Sequence, residues 1–446
     1  MKKSKTTWLC NSCGATFAKW SGKCEICGEW NTIQEFKEAT PQKSKKGSVK
    51  TPESINSVVQ DDKKRIQTGF SEFDRVLGGG VVSDGLYLLV GNPGIGKSTI
   101  VLQTAINIGS SKKVLIASGE ESASQIISRA NRISDNLPDI QILSEYIIED
   151  VIATAFEVDA DFLIVDSVQT LYSQEIDNNQ GSIPQIRTIT EKLMHYSKKH
   201  NKPCILIGHV NKDGDMAGPQ VLAHLVDAVL VIEGDQNHDF RILRSTKNRF
   251  GSASEIGIFE MVESGLKEVA NPSEAFLEGR MDNAIGSVVF PAIEGARALL
   301  VETQALTSTT KFGLPKRTAS GLSLSRLSLI LAVLQNHARL NFENRDVFSN
   351  IIGGFKISEP ALDLALCAAL ISSHKKKPIP KDICVMGEVG LSGEIRAVNQ
   401  LEKRLIEAQK MGFKKAVIPK TKNPPSVKGI DLMQIKSIGE MFEFFK

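Results

Sequence analysis

Between residues 65 and 271, short apolar runs alternate with stretches of helical character. The runs are LYLLVG (86–91), KVLIASG (113–119), DFLIVDS (161–167), PCILIGH (203–209) and AVLVIEG (228–234). Each ends near a Gly, Asp or Ser and leads into a polar or helical segment. This pattern predicts an α/β fold built on a parallel sheet whose strand ends carry the site. Near NPSEAFL (271–277) the pattern restarts with strand-like GSVVFPAIEG and RALLVETQALT. Helical stretches over 322–340 and 359–373 follow, then KDICVMGEVGLSGEI and a last helix–strand unit, which predicts a second α/β or α+β domain. No internal repeat is visible.

Upstream the pattern breaks down. Residues 1–35 are dense in Cys, Gly and Trp, and residues 36–64 are rich in Lys, Ser and Pro with few large apolar side chains. The first reads as a small domain and the second as a flexible basic linker. The expected division is therefore 1–35, 36–64, 65–271 and 272–446, within the two or three globular domains that 446 residues allow. Hydrophobic content of 41% and charged content of 24% suit a soluble globular chain. ALDLALCAALI (361–371) is the nearest approach to a membrane span, and it is short and carries Asp363. The amino terminus has basic residues but no apolar core of a secretory signal, so a cytoplasmic protein with no membrane partner is expected. Charge is uneven. Residues 1–65 hold 13 Lys and Arg against 7 Asp and Glu, a net +6, which leaves −3 on the rest of the +3 chain. A basic arm on a slightly acidic body suits a polyanion-binding appendage and equally a solubilising spacer.

Four of the seven cysteines form C-x2-C-x10-C-x2-C: Cys10, Cys13, Cys24 and Cys27. Zn²⁺ prefers four thiolates in a tetrahedron, and each C-x2-C turn supplies two. Gly14 and Gly28 follow the second cysteine of each pair, where a knuckle needs a permissive backbone. With all four positions filled by protein the zinc is structural, folding a segment too short to bury a core alone.

The sequence GNPGIGKST follows LYLLV directly and precedes the helical TIVLQTAINIG. Its residues Gly91, Asn92, Pro93, Gly94, Ile95, Gly96, Lys97, Ser98 and Thr99 match a P-loop, whose backbone N–H groups wrap phosphates at a helix N-terminus. Lys97 is expected against the β- and γ-phosphates of ATP, and Ser98 on Mg²⁺. Asp166 ends DFLIVDS, suited to the Mg²⁺ shell. Glu120 and Glu121 end VLIASGEES; either could polarise an attacking water, and Glu120 is the nearer to the strand end. His209 closes a further strand as a candidate sensor of the γ-phosphate. In RSTKNRFG (244–251), after the strand-like DFRIL, Arg244, Lys247 and Arg249 fit a solvated turn, a nucleic-acid contact or a phosphate clamp.

With these residues in hand, the chain resembles the RadA (Sms) family of bacterial, RecA-related DNA repair proteins over essentially its whole length. The likeness rests on the order of the four-cysteine finger, GNPGIGKST, SGEES, KNRFG and a Lon-like tail. It implies a RecA-type P-loop ATPase core with an N-terminal zinc ribbon and a C-terminal Lon-protease-like α/β domain. It further implies a ring, a hexamer, that hydrolyses ATP between subunits on single-stranded and branched DNA and promotes branch migration with the RecA recombinase. On that model Lys247 and Arg249 resemble cations delivered to a neighbour's γ-phosphate, with Asn248, Phe250 and Gly251 completing an interface motif. The loop NKDGDMAGPQ (211–220) would face DNA, with Lys212 as its one clear phosphate contact. It lacks aromatics, so any grip there should be phosphate-directed and salt-sensitive. Lon uses a Ser–Lys dyad; here Ala361 stands at the serine and Glu402 at the lysine, with Ser358 and Lys403 out of register. An ATP-dependent peptidase is thereby disfavoured, and a non-motor ATP switch is the other alternative.

Overall fold

The computed structural model describes residues 6–10, 15–37, 65–209, 222–234, 240–310, 313–354 and 356–443. Contacts divide the chain into two units, residues 1–233 with 241–268, and residues 234–240 with 269–446.

In the first unit the amino-terminal ribbon is a three-stranded antiparallel sheet with strand order Thr16–Phe17, Thr6–Cys10, Ile33–Lys37. Among the described residues its core is small: Cys10, Cys24 and Ile33, with Trp8, Ala15 and Phe17 packed against them. So few apolar contacts cannot offset the entropy of ordering the segment, which leaves the cysteines to do it.

The larger element is a nine-stranded sheet. Six strands run parallel, in the order Ala228–Glu233, Leu86–Gly91, Cys204–His209, Phe162–Asp166, Val114–Ser118, Ile140–Leu143. Leu86, Leu88 and Val90 enter one core with Ile148, Val151, Ile189 and Leu193 of the helices Ile148–Glu157 and Ile183–His200. Tyr87 and Leu89 enter the other with Ile100, Val101 and Ala105 of the helix Lys97–Gly109. Both faces are covered, which is why these strands are continuous apolar runs. The sheet continues through the antiparallel strands Phe240–Asn248, Ile256–Val262 and Gly265–Glu268. The strand expected to end at DFRIL in fact runs on to Asn248. Arg241, Leu243 and Ser245 are its buried positions, and a buried serine followed by polar residues hides the alternation from a hydropathy reading.

In the second unit a seven-stranded mixed sheet has the order Arg317–Ser320, Arg345–Ile351, Arg297–Thr309, Ser287–Glu294, Ile383–Val385, Lys415–Pro419, Asp431–Ile435. The helix Asp363–Lys375 is buried along most of its length, which explains its near-continuous apolar sequence. Among the described residues no helix is long and apolar enough to cross a membrane.

Candidate functional site

The parallel strands bring four chemistry-bearing ends to one edge of the sheet. Gly91 is level with His209, and Ser118 is level with Asp166. The strand ending in His209 lies between the P-loop strand and the Asp166 strand. Chain order gives no hint of that insertion.

The loop from Gly91 to Gly96 owes its path to glycine. A Cβ on Gly91 would lie 2.6 Å from the Ile232 carbonyl oxygen of the neighbouring strand. Gly96 has φ +112°, and a Cβ there would meet Met261 Cε at 2.8 Å. Asn92, Pro93, Gly94 and Ile95 form the turn, and Lys97, Ser98 and Thr99 open the helix, so its N-terminal N–H groups face the loop. Lys97 is buried and donates to the carbonyls of Gly91 (2.9 Å) and Asn92 (3.0 Å). Burial lowers its pKa, against the pull of Asp166 and Glu120. Its ammonium is thus stored on loop carbonyls it can exchange for phosphate oxygens.

Asp166 is 7% exposed. Burial raises its pKa, although the Ser98 hydroxyl bonds to it. Its Oδ1 is buried without a partner. A cavity of about 20 Å³ is lined in part by Ser98, Asp166 and Arg129, room for one water-sized particle. A carboxylate short of a partner beside a serine hydroxyl is a donor set of hard oxygens, which fits Mg²⁺.

The two glutamates after Val114–Ser118 separate. Glu121 pairs with Arg129 of the helix Ala123–Ile133. Glu120 Oε1 accepts from Ser167 Oγ (2.5 Å) and lies 2.9 Å from His209 Nε2. The His209 hydrogen bond, more than Ser167 or the Lys97 charge, holds the Glu120 carboxyl below its usual range against desolvation. Ser167 and Arg129 were missed in the sequence, as was Arg241. Its buried Nε donates to the Ile95 carbonyl at 3.2 Å and anchors the P-loop from a strand 146 residues away.

KNRFG sits at the other end of the sheet. Asn248 pairs with Ala228, which is level with Tyr87, at the opposite end of the strand from Gly91. Lys247 Nζ donates to the carbonyls of Ala223 (2.5 Å) and Val226 (2.8 Å). The Arg249 side chain is 56% exposed, with a 3.4 Å contact to the Asp227 carboxylate, while the Arg249 N–H bonds to the Asp227 carbonyl (3.0 Å). Asn248 accepts from Phe250 N–H and donates to the Val76 carbonyl. Phe250 packs on Tyr87. A Cβ on Gly251 would lie 2.9 Å from Gly78 Cα, so the turn is closed by two glycines in contact. Lys212 and the loop 211–220 lie outside the described residues.

At the ribbon, the Sγ atoms of Cys10, Cys24 and Cys27 all lie within 4.8 Å of one another, and Cys10 and Cys27 are 3.7 Å apart. Thiolates about 2.3 Å from one tetrahedral Zn²⁺ stand at such separations, far beyond a disulfide bond. Cys13 lies outside the described residues.

In the C-terminal unit the two positions expected to correspond to a Ser–Lys dyad hold Ala361 and Glu402. Ala361 is buried, and Glu402 and Lys403 point to solvent from the helix Leu401–Lys410. The same two segments meet through Arg404, 2% exposed at its side chain, and Glu359 at 2.5 Å. Arg404 also donates to the carbonyls of Pro291 (2.6 Å) and Asn399 (2.9 Å).

A glycine loop on a helix N-terminus, an acidic strand end two strands away and an inserted strand between them define a RecA-type P-loop ATPase. A family model described as an AAA domain matches residues 51–215, one described as a rubredoxin metal binding domain, a zinc ribbon, matches residues 8–35, and one described as subunit ChlI of Mg-chelatase, a Lon-like domain, matches residues 304–422. The DNA repair protein RadA of Bacillus subtilis is 44% identical over 450 residues, covering 99% of this chain and 98% of that protein. Those of Listeria monocytogenes (44%; 98% and 97% covered) and Aquifex aeolicus (42%; 99% and 99%) are similarly matched. A crystal structure of the RadB recombinase aligns with a TM-score of 0.37 at 22% identity, over 46% of this chain and 99% of that one, too loose a likeness to add to this. The chain belongs to the RadA family of DNA repair proteins.

Proposed function

We propose that the protein is a DNA-dependent ATPase that assembles as a ring, a hexamer, and moves on single-stranded and branched DNA to promote branch migration alongside a RecA recombinase. The observation that carries this is the split of the site. Cradle and carboxylates occupy one end of the sheet, while the exposed Arg249 occupies the other, out of reach of its own P-loop. A catalytic cation so placed serves the nucleotide of the next subunit.

In the reaction, water attacks the γ-phosphate in line with the departing diphosphate. The P-loop N–H groups and Lys97 hold the β- and γ-phosphates. Ser98 and Asp166 would hold Mg²⁺, which would supply positive charge against the phosphates. Glu120 orients the water, and Arg249 of a neighbour meets the charge that develops on the γ-phosphate. Lys247 secures the segment Ala223–Val226 behind that tip. His209 restrains Glu120 and is followed directly by residues 210–221, which include Lys212. Strand contact by that loop is read as a pull on His209 that frees the carboxylate. Residues 1–35 act as the zinc ribbon, 36–64 as a linker, 65–271 as the motor and 272–446 as an assembly and DNA-binding scaffold. The test is ATP turnover with and without single-stranded DNA at low salt. Stimulation is expected, and its absence refutes the motor reading.

A further inference from the structure

The chain has three tryptophans, Trp8, Trp20 and Trp30, all within its first 35 residues. Trp8 packs on the ribbon core. The other two do not: Trp20 is 58% exposed and Trp30 68%, beside Ile26 at 72%. Large apolar side chains crowded onto so small a surface mark an interaction site.

The local geometry is specific. The Asn31 N–H bonds to the Gly22 carbonyl, Lys23 bridges to Trp30, and the Cys24 N–H bonds to the Glu29 carbonyl, which fixes this knuckle. Gly22 lies between the two indoles. A Cβ there would stand 3.8 Å from Trp20 Cη2 and 4.0 Å from Trp30 Cζ3. The glycine therefore brings both indole edges within van der Waals reach of one backbone position. Lys23 Nζ lies 5.6 Å from the centroid of the Trp30 ring, and Lys19, next to Trp20, is exposed.

We propose that the Trp20–Gly22–Trp30 face is a binding site for single-stranded nucleic acid, in which bases stack on the indoles while Lys19 and Lys23 meet phosphates. Aromatic faces with interleaved cations form the general chemistry of single-strand binding. Glu25 and Glu29 are exposed on the same knuckle and limit its charge, so stacking dominates here. This site is separate from the ATPase reading, which needs no contact from the ribbon.

Because all three tryptophans are in the ribbon, the emission of the full-length, zinc-loaded protein reports on the ribbon alone. Oligothymidylate is titrated without nucleotide, with saturation followed separately by anisotropy of a labelled strand. Quenching at saturation is expected. Trp20→Ala and Trp30→Ala should each weaken binding roughly five- to a hundredfold, with the salt slope unchanged. Trp→Phe at either position should restore most of the affinity. Bound zinc of one per chain shows that a variant is folded; if an alanine variant loses zinc, the phenylalanine variants and wild-type quenching decide. Saturation without quenching, as when the indoles serve a protein partner, overturns the proposal, and so does wild-type affinity in zinc-loaded alanine variants. Failure of the motor reading is seen separately, as ATP turnover that ignores DNA.

Discussion

Subunit mixing tests the seam directly. Asn248 is level with Tyr87, four residues along the strand from Gly91, which puts KNRFG roughly 13 Å of strand from the P-loop end at about 3.3 Å per residue. In the proposed ring, Arg249 would therefore reach a neighbour's nucleotide. Arg249→Ala removes the tip, and the buried Asp227 keeps its 2.8 Å pair with Lys198 and its bond from the Leu86 N–H, so the variant should fold normally. Glu120→Gln removes the water-orienting carboxylate while leaving the P-loop intact. Each variant alone should lose turnover by about 10³-fold or more, the scale of an arginine delivered in trans. In a one-to-one mixture a seam works only where the Arg249→Ala chain supplies the cradle and the Glu120→Gln chain supplies the tip. Random assembly of a head-to-tail ring makes that true of about a quarter of seams, so the mixture should recover about a quarter of wild-type turnover per chain. Phosphate release with saturating DNA, measured after the two variants are dissociated and reassembled together, reads the result. A mixture no more active than its components refutes the trans geometry, and so does an Arg249→Ala variant with wild-type rate.

Three further outcomes follow from the geometry. Burial holds the Asp166 carboxyl above its ordinary range, so its ionised form costs the nucleotide-free fold stability at neutral pH. Asp166→Asn should therefore abolish ATP turnover yet raise the thermal midpoint; because the penalty grows as pH rises through the raised value, the gap should narrow in acid, and a midpoint below wild type at pH 8 contradicts this. Arg404→Ala removes a buried guanidinium from the Glu359 carboxylate and the Pro291 and Asn399 carbonyls, while Glu359 keeps the Ile293 N–H, and should cost about 2 kcal/mol in denaturant unfolding; an unchanged midpoint would remove the pair's structural role. His209→Ala releases Glu120, so turnover rates with and without DNA should converge, and a preserved ratio between them would separate His209 from DNA sensing.

What was legible in the sequence was local. The P-loop could be read because its glycines, Lys97 and Ser98 lie within eight consecutive residues and each is demanded by one tight turn. Three of the four cysteines converge as their spacing predicts. Asp166 and Glu120 were visible as acids at strand ends, since an apolar run announces where it stops. The choice between Glu120 and Glu121 was not visible, because it depends on Arg129 and His209, which approach from different elements. The extent of the strand through Asn248 was hidden for a related reason: its inward Ser245 breaks the apolar signal that burial normally leaves.

By itself, then, the sequence determined the chemistry available: phosphate-wrapping glycines and metal-ligating sulfurs and oxygens. Tertiary structure decided which of these groups meet. It inserted the His209 strand beside the P-loop strand, set Arg241 under Ile95, and brought the buried Arg404 onto the partly exposed Glu359. It also sent Arg249 to the opposite end of the sheet from Lys97. The physical reason is range. Turn and ligand geometry is fixed within a few consecutive residues, whereas strand order and buried charge pairing depend on how whole layers pack, and no local pattern encodes that.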